Sequence, residues 1–170
     1  SQPKWEQYQF NDDMTGKSFF DIGCNCGWFL KEASKKGAKV YGLDISWRCL
    51  DLAKDRIPDG TFYHTSFEDY NIKQKYDYVL CSSVFHYFKY REKMIAKMAS
   101  ITDNLTLELP VVESDELFIK YIKGSGDWSG ALPTKGLLLK WLNRYFGNVE
   151  QIGYTTQFNG DKRPIFKATR

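Results

Sequence analysis

Phe19-Phe20-Asp21-Ile22-Gly23-Cys24-Asn25-Cys26-Gly27 is the stretch that decides the fold. An apolar run carries an acid, a glycine follows two positions later and another four beyond that, and an amphipathic stretch then begins. Such a pattern belongs to a buried strand that turns tightly into a helix, with glycines where the backbone passes close to a ligand. Asp44 stands twenty-one positions beyond Gly23 and closes a second apolar run, Val40-Tyr41-Gly42-Leu43. An acid about 20 residues past a glycine-rich turn, at the end of the next parallel strand, is placed to accept hydrogen bonds from a ribose. The spacing predicts a site for a nucleoside-containing cofactor.

A dinucleotide site wants Gly-x-Gly-x-x-Gly, and those positions read Gly23, Asn25 and Trp28. Asn25 tolerates a left-handed backbone, but Trp28 would crowd a diphosphate. Asp21 suits a positively charged ligand, such as the amino group and sulfonium of S-adenosylmethionine. The pattern Asp-x-Gly-x-Asn-x-Gly, followed by an acid ending the second strand, resembles the class I S-adenosylmethionine-dependent methyltransferases. The resemblance covers residues 17 to 110 well and the remainder loosely. It implies S-adenosyl-L-methionine as cofactor, its methionine part held by Asp21, Gly23, Cys24, Asn25 and Gly27. Asp44 would take the ribose hydroxyls and Ile45 one adenine face. The family often places an acid after the third strand for the adenine amino group. By register that position is Ser66, with Phe67 as the backbone donor and Glu68 or Asp69 as the substitute acid. Cys81 opens the segment Cys81-Ser82-Ser83-Val84-Phe85-His86, which would line the cofactor and face the substrate.

The same segment bears on the acceptor. Family members that methylate amides or adenine usually carry Asn/Asp-Pro-Pro-Tyr/Phe where this chain has Cys-Ser-Ser-Val. Many RNA 2′-O-methyltransferases need an acid where Cys81 stands. The expectation is therefore O-methylation of a small molecule or saccharide. An alcohol acceptor needs a general base, and His86 and Glu108 are the candidates, His for its titration near neutrality and Glu108 because it interrupts an apolar strand. The glycine-rich loop 124–136, with Trp128, suits a mobile lid. Two alternatives stay open: a module of a longer protein acting on RNA or protein, and a non-catalytic cofactor-binding domain. The chain opens Ser-Gln-Pro without Met, which keeps the first of these alive.

At 170 residues and 42% hydrophobic, the chain fits one domain, residues 1–170. A net charge of +3 is too small to argue for nucleic acid. No apolar stretch approaches the length of a membrane span, and a cytoplasmic protein with four reduced cysteines is expected. No metal site is expected, because Cys24-x-Cys26 has no His or second Cys pair at zinc-like spacing. Strands are predicted at Ser18 to Ile22, Lys39 to Leu43, Thr61 to His64, Tyr76 to Cys81 and Leu105 to Leu109, alternating with helices. Further helices are predicted from Ser114 to Lys123 and from Thr134 to Phe146. A hairpin of Asn148 to Tyr154 and Arg163 to Ala168 closes the chain. The fold class is α/β, a doubly wound Rossmann-like, mostly parallel sheet of about seven strands with an antiparallel C-terminal hairpin and helices on both faces.

Overall fold

The computed structural model describes residues 2–123, 129–157 and 159–170. Strands β1 (Ser18–Ile22), β2 (Lys39–Asp44), β3 (Thr61–His64), β4 (Tyr78–Ser82) and β5 (Asn104–Glu108) are parallel. β8 (Asn148–Thr156) and β9 (Lys162–Thr169) form the antiparallel hairpin, and β9 pairs with β5. The sheet order is β3-β2-β1-β4-β5-β9-β8. The order reverses at β1, so the carboxyl ends of β1 and β4 flank the crevice where ligands bind in such sheets.

Near-continuous apolar strands bury both faces, and the side-chain period of two sends alternate residues to opposite cores. Phe19, Val40 and Leu80 join one core with Leu30 and Ala33 of α2 (Trp28–Lys35) and Leu50 of α3 (Trp47–Arg56). Phe20, Tyr41, Val79 and Cys81 join the other, beneath α4 (Arg91–Ile101) and α5 (Lys135–Tyr145). Ser46 caps α3 by accepting from the Cys49 N–H, and Thr134 caps α5 by accepting from the Leu137 N–H.

Two elements depart from the expectation. The segment expected as a helix from Ser114 to Lys123 contains β6 (Ile119–Lys123), which pairs antiparallel with β7 (Ser129–Pro133). Leu117, Phe118 and Tyr121, the presumed inner face of that helix, are exposed. An apolar pattern this short fits a strand as well as a helix, and pairing with β7 decides it. Of the loop 124–136 expected as a lid, residues 124–128, Trp128 among them, lie outside the described residues, and the remainder is strand β7 and the start of α5. The second departure is α1 (Gln2–Gln7), a short N-terminal helix that the pattern did not suggest. Its Trp5, with Tyr8 just beyond, is buried against Phe10, Phe19 and Phe29, which carries Lys4 to the carboxyl end of the sheet.

Candidate active site

The carboxyl ends of β1, β2 and β4 open onto two adjoining cavities, which share Gly23, Asp44, Val84 and Tyr87. The first, of about 450 Å³, is lined further by Lys4, Asp21, Asn25, Cys26, Trp28 and Ser83. The second, of about 350 Å³, is lined by Ile45, Thr65, Ser66, Phe67, Glu68 and Phe88. Both are within the ordinary range for small-molecule sites, roughly 300–1,000 Å³. Gly23 stands between them with φ +74°, and a Cβ there would fall 2.3 Å from Val84 Cγ2. Glycine is required at that point both by conformation and by space.

The glycine-rich turn is tied to the second strand at several points. The Gly23 and Cys24 N–H groups both donate to the Leu43 carbonyl at 2.9 Å. Asn25, left-handed at φ 48°, donates its N–H to Asp44 Oδ2 at 2.8 Å, while Asp44 Oδ1 accepts from the Ser46 N–H at 2.8 Å. Two backbone donors thus fix the Asp44 carboxylate at the junction of the cavities and leave each oxygen a further lone pair for a ligand.

Asp21 is in the opposite condition. It is 2% exposed, faces the first cavity, and its Oδ2 accepts no hydrogen bond. Burial and the negative charge of Asp44 push its carboxyl up to about 8, against the opposing pull of Lys4. A buried carboxyl oxygen without a donor is costly, and a cationic amino group in the cavity would supply the missing donor and charge.

On the other side of Asp44 the expected adenine contacts divide. Ile45 is 74% exposed, an apolar side chain held open on the wall of the second cavity. Ser66 donates to Asp69 Oδ2 at 2.7 Å and accepts from the Asp69 N–H, so its hydroxyl builds the turn. Glu68 Oε1 accepts from the Lys89 N–H at 2.9 Å and pins the loop before α4. The Phe67 ring is buried, and its carbonyl accepts from Lys97 Nζ at 2.7 Å. Gly27 caps the start of α2 without lining either cavity, and Cys81 is buried in the sheet core behind Ser82.

Glu108 is fully buried and fully engaged. Its Oε2 accepts from Ser83 Oγ at 2.7 Å, Ser82 Oγ at 2.8 Å and Lys4 Nζ at 3.3 Å. Its Oε1 accepts from Thr155 Oγ1 at 2.6 Å and Gln157 Nε2 at 3.3 Å. Burial alone would raise its pKa, but the Lys4 charge and the donors from Thr155, Ser83 and Ser82 bring it below the ordinary glutamate value. Ser82 spends its proton on Glu108, so the Tyr8 hydroxyl donates to Ser82 Oγ at 2.7 Å. Ser83 is left-handed at φ 61° and is held there by Glu108, whose carbonyl accepts the Ser83 N–H at 2.9 Å. A non-glycine residue in that conformation costs about 1–2 kcal/mol, stored at the cavity wall by surrounding hydrogen bonds.

His86 lies in a 3₁₀ turn (Phe85–Tyr87), 4% exposed and outside both cavity linings. Burial, with the nearby charge of Arg163, lowers its pKa to about 4 despite the opposing pull of Glu108, so the imidazole is neutral at physiological pH. Its carbonyl accepts from Arg91 Nη2 at 2.9 Å. The neighbour on the cavity wall is Tyr87. Lys4 and Tyr8 carry no motif that would have singled them out, and Trp28 stands out only where a dinucleotide site would need glycine. Lys4 and Tyr8 reach the site only because α1 folds across the sheet end.

Among the described residues no cluster of His, Cys, Asp or Glu has the geometry of a metal site, and no helix is long and apolar enough to cross a membrane. Residues 20–104, half of the chain, match the family model described as a methyltransferase domain. A magnesium-protoporphyrin O-methyltransferase of Rhodobacter capsulatus is 33% identical over 82 residues, 46% of this chain and 37% of that protein. A tRNA U34 carboxymethyltransferase of Ectopseudomonas mendocina is 30% identical over 159 residues, 83% of this chain and 48% of that protein. The chain thus spans about half the length, or less, of the curated relatives it matches. The crystal structure of magnesium protoporphyrin IX methyltransferase from Synechocystis PCC 6803 with bound S-adenosylmethionine superposes with a TM-score of 0.72 at 20% identity, over 99% of this chain and 77% of that one. With its seven-stranded sheet, its glycine-rich turn and the acid that closes β2, the chain belongs to the methyltransferase domain family, the class I S-adenosylmethionine-dependent methyltransferases.

Proposed function

We propose that the chain binds S-adenosylmethionine across the two cavities and transfers its methyl group to an oxygen of a small molecule or saccharide. One observation carries the cofactor reading: a buried carboxyl, Asp21, has an oxygen without a donor and faces a cavity beside Asp44. An ammonium group fits the first, ribose hydroxyls fit the second, and the exposed Ile45 offers an apolar wall to a purine ring. Bound there, the cofactor supplies a methyl carbon already activated by a sulfonium. The chain's own part is to bind, align and exclude water. Asp21, once ionised, holds an amino group; Asp44 fixes the junction; Ser83, Val84 and Tyr87 shape the acceptor side.

An oxygen acceptor is supported by Cys-Ser-Ser-Val in place of the proline-bounded amine motif, and by likeness to a protein named as an O-methyltransferase. Alignment supplies most of the rate in an in-line displacement. We assign Glu108 and His86 to positioning: Glu108 holds Ser82, Ser83 and Lys4, and the His86 carbonyl anchors Arg91. A second reading, a module acting on RNA, is favoured by the likeness to the tRNA enzyme over 83% of the chain. Calorimetry with S-adenosylhomocysteine and with NAD tests the cofactor. Micromolar binding of the first and none of the second is expected, and the reverse overturns it. Transfer of labelled methyl from S-adenosylmethionine to hydroxylated small molecules and sugars, with bulk tRNA in parallel, separates the two acceptor readings.

A further inference from the structure

Cys24 and Cys81 are buried, whereas Cys26 and Cys49 are half-buried. The Cys26 and Cys49 side chains are neighbours where the start of α2 packs on α3. Local packing explains why. The start of α2 lies against one face of α3: a Cβ on Gly27 would stand 2.9 Å from Ala53 Cβ. Cys49 is one turn before Ala53 on that face. Arg56 Nη1 donates to the Cys26 carbonyl at 2.9 Å and ties the same two elements a second time. Cys26 also lines the first cavity, so this thiol pair touches the cofactor turn on one side and α3 on the other.

We propose that Cys26 and Cys49 are a site of reversible covalent modification, forming an intramolecular disulfide that opposes cofactor binding. The oxidant class is a peroxide. With hydrogen peroxide, two thiols give one S–S bond and lose two electrons and two protons, the peroxide O–O bond breaks, and two waters leave. A dithiol reductant reverses the step by thiol–disulfide exchange. Burial, together with the neighbouring Cys49 thiol, raises the Cys26 thiol above the ordinary value, so formation accelerates as pH rises. Bond formation draws the Cys26 sulfur from the cavity wall toward α3. It thereby shifts the turn whose Asn25 N–H holds Asp44. The coupling is reciprocal: what weakens cofactor binding in the oxidised form must also let bound cofactor resist oxidation. This coupling rests on the cofactor reading above; the disulfide itself rests on the packing of the start of α2 against α3.

Mass spectrometry of the whole chain treated with hydrogen peroxide tests both parts. The expected product has lost two hydrogens, and trypsin releases one cross-link between peptides Ser18–Lys31 and Cys49–Lys54, absent after dithiothreitol and absent in Cys49→Ser. Fragmentation should place the bond on Cys26; a bond on Cys24, or no cross-link at all, overturns the site. Saturating S-adenosylhomocysteine should slow cross-linking several-fold, and the oxidised protein should bind it several-fold more weakly than the reduced one. Peroxide-treated Cys49→Ser should bind as the untreated variant does. Equal binding by the oxidised and reduced chain overturns the coupling. If neither form binds S-adenosylhomocysteine, the cofactor reading fails while the cross-link yield still decides the disulfide.

Discussion

Two buried carboxyls stand at the same end of one sheet and have opposite fates. Asp21, on β1, is 2% exposed with an oxygen that accepts nothing, and its pKa is pushed up to about 8. Glu108, on β5, is fully buried, surrounded by five side-chain donors, and its pKa is lowered. Burial works in the same direction on both, so neighbouring charge and donors decide the difference: Asp44 beside Asp21, Lys4 and the hydroxyls around Glu108. The Glu108 end is finished scaffold, complete without a ligand. The Asp21 end is left incomplete, and a cationic ligand is what would complete it.

The largest expected effect is on the finished end. Glu108→Ala should lower the unfolding free energy by about 3–5 kcal/mol, because Lys4 and four polar groups lose a buried partner. Chemical denaturation reads this directly; a loss below about 1 kcal/mol would mean the network is ornamental. The sign with pH follows from the lowered folded pKa. The contribution of Glu108 is present above its unfolded pKa and is lost as pH falls through the folded one.

Asp44→Ala comes next. Cofactor affinity should fall by about 1.5–3 kcal/mol, roughly ten- to a hundredfold, through lost hydrogen bonds to a charged acceptor. Calorimetry with S-adenosylhomocysteine should show this with an apo protein still folded. Normal binding would reduce Asp44 to its role as a clamp between Asn25 and Ser46.

Asp21→Asn should behave unlike either. In the apo protein the folded state holds a proton that the unfolded chain releases, since 8 lies above the ordinary value of 3.8. Asp21 therefore costs stability progressively as pH rises between those values, and the Asn variant should melt higher than wild type at the upper end. Cofactor binding should weaken by about 1 kcal/mol near neutrality and by more above pH 8, where no proton need be displaced. Calorimetry in buffers of different ionisation enthalpy should detect proton release on binding to wild type and none to Asp21→Asn. An identical proton balance in the two proteins would dissolve the contrast.

Ser83→Gly is the smallest. Relief of about 1–2 kcal/mol of left-handed strain offsets a lost hydrogen bond to Glu108, worth about 1.5–3 kcal/mol, so stability should change by about 1 kcal/mol or less. Ser83→Ala keeps the strain and loses the bond, and should melt clearly lower than Ser83→Gly. If the two melt together, the left-handed backbone at Ser83 stores nothing.

The sequence by itself determined the parallel sheet, its terminal hairpin and the placement of Asp21, Gly23, Asn25 and Asp44. Those depend on local signals: apolar runs buried on both faces, a turn that only Gly or Asn can make, and an acid at a fixed distance along the chain. It did not determine what surrounds the two carboxyls. Lys4, Tyr8, Ser82, Ser83, Thr155 and Gln157 come from three distant parts of the chain and meet at the sheet end only through strand order and the fold of α1. Residues 119–123 likewise became a strand because β7 pairs with them. Periodicity is a property of neighbours in sequence, whereas a carboxyl's charge state and a short segment's conformation are settled by neighbours in space.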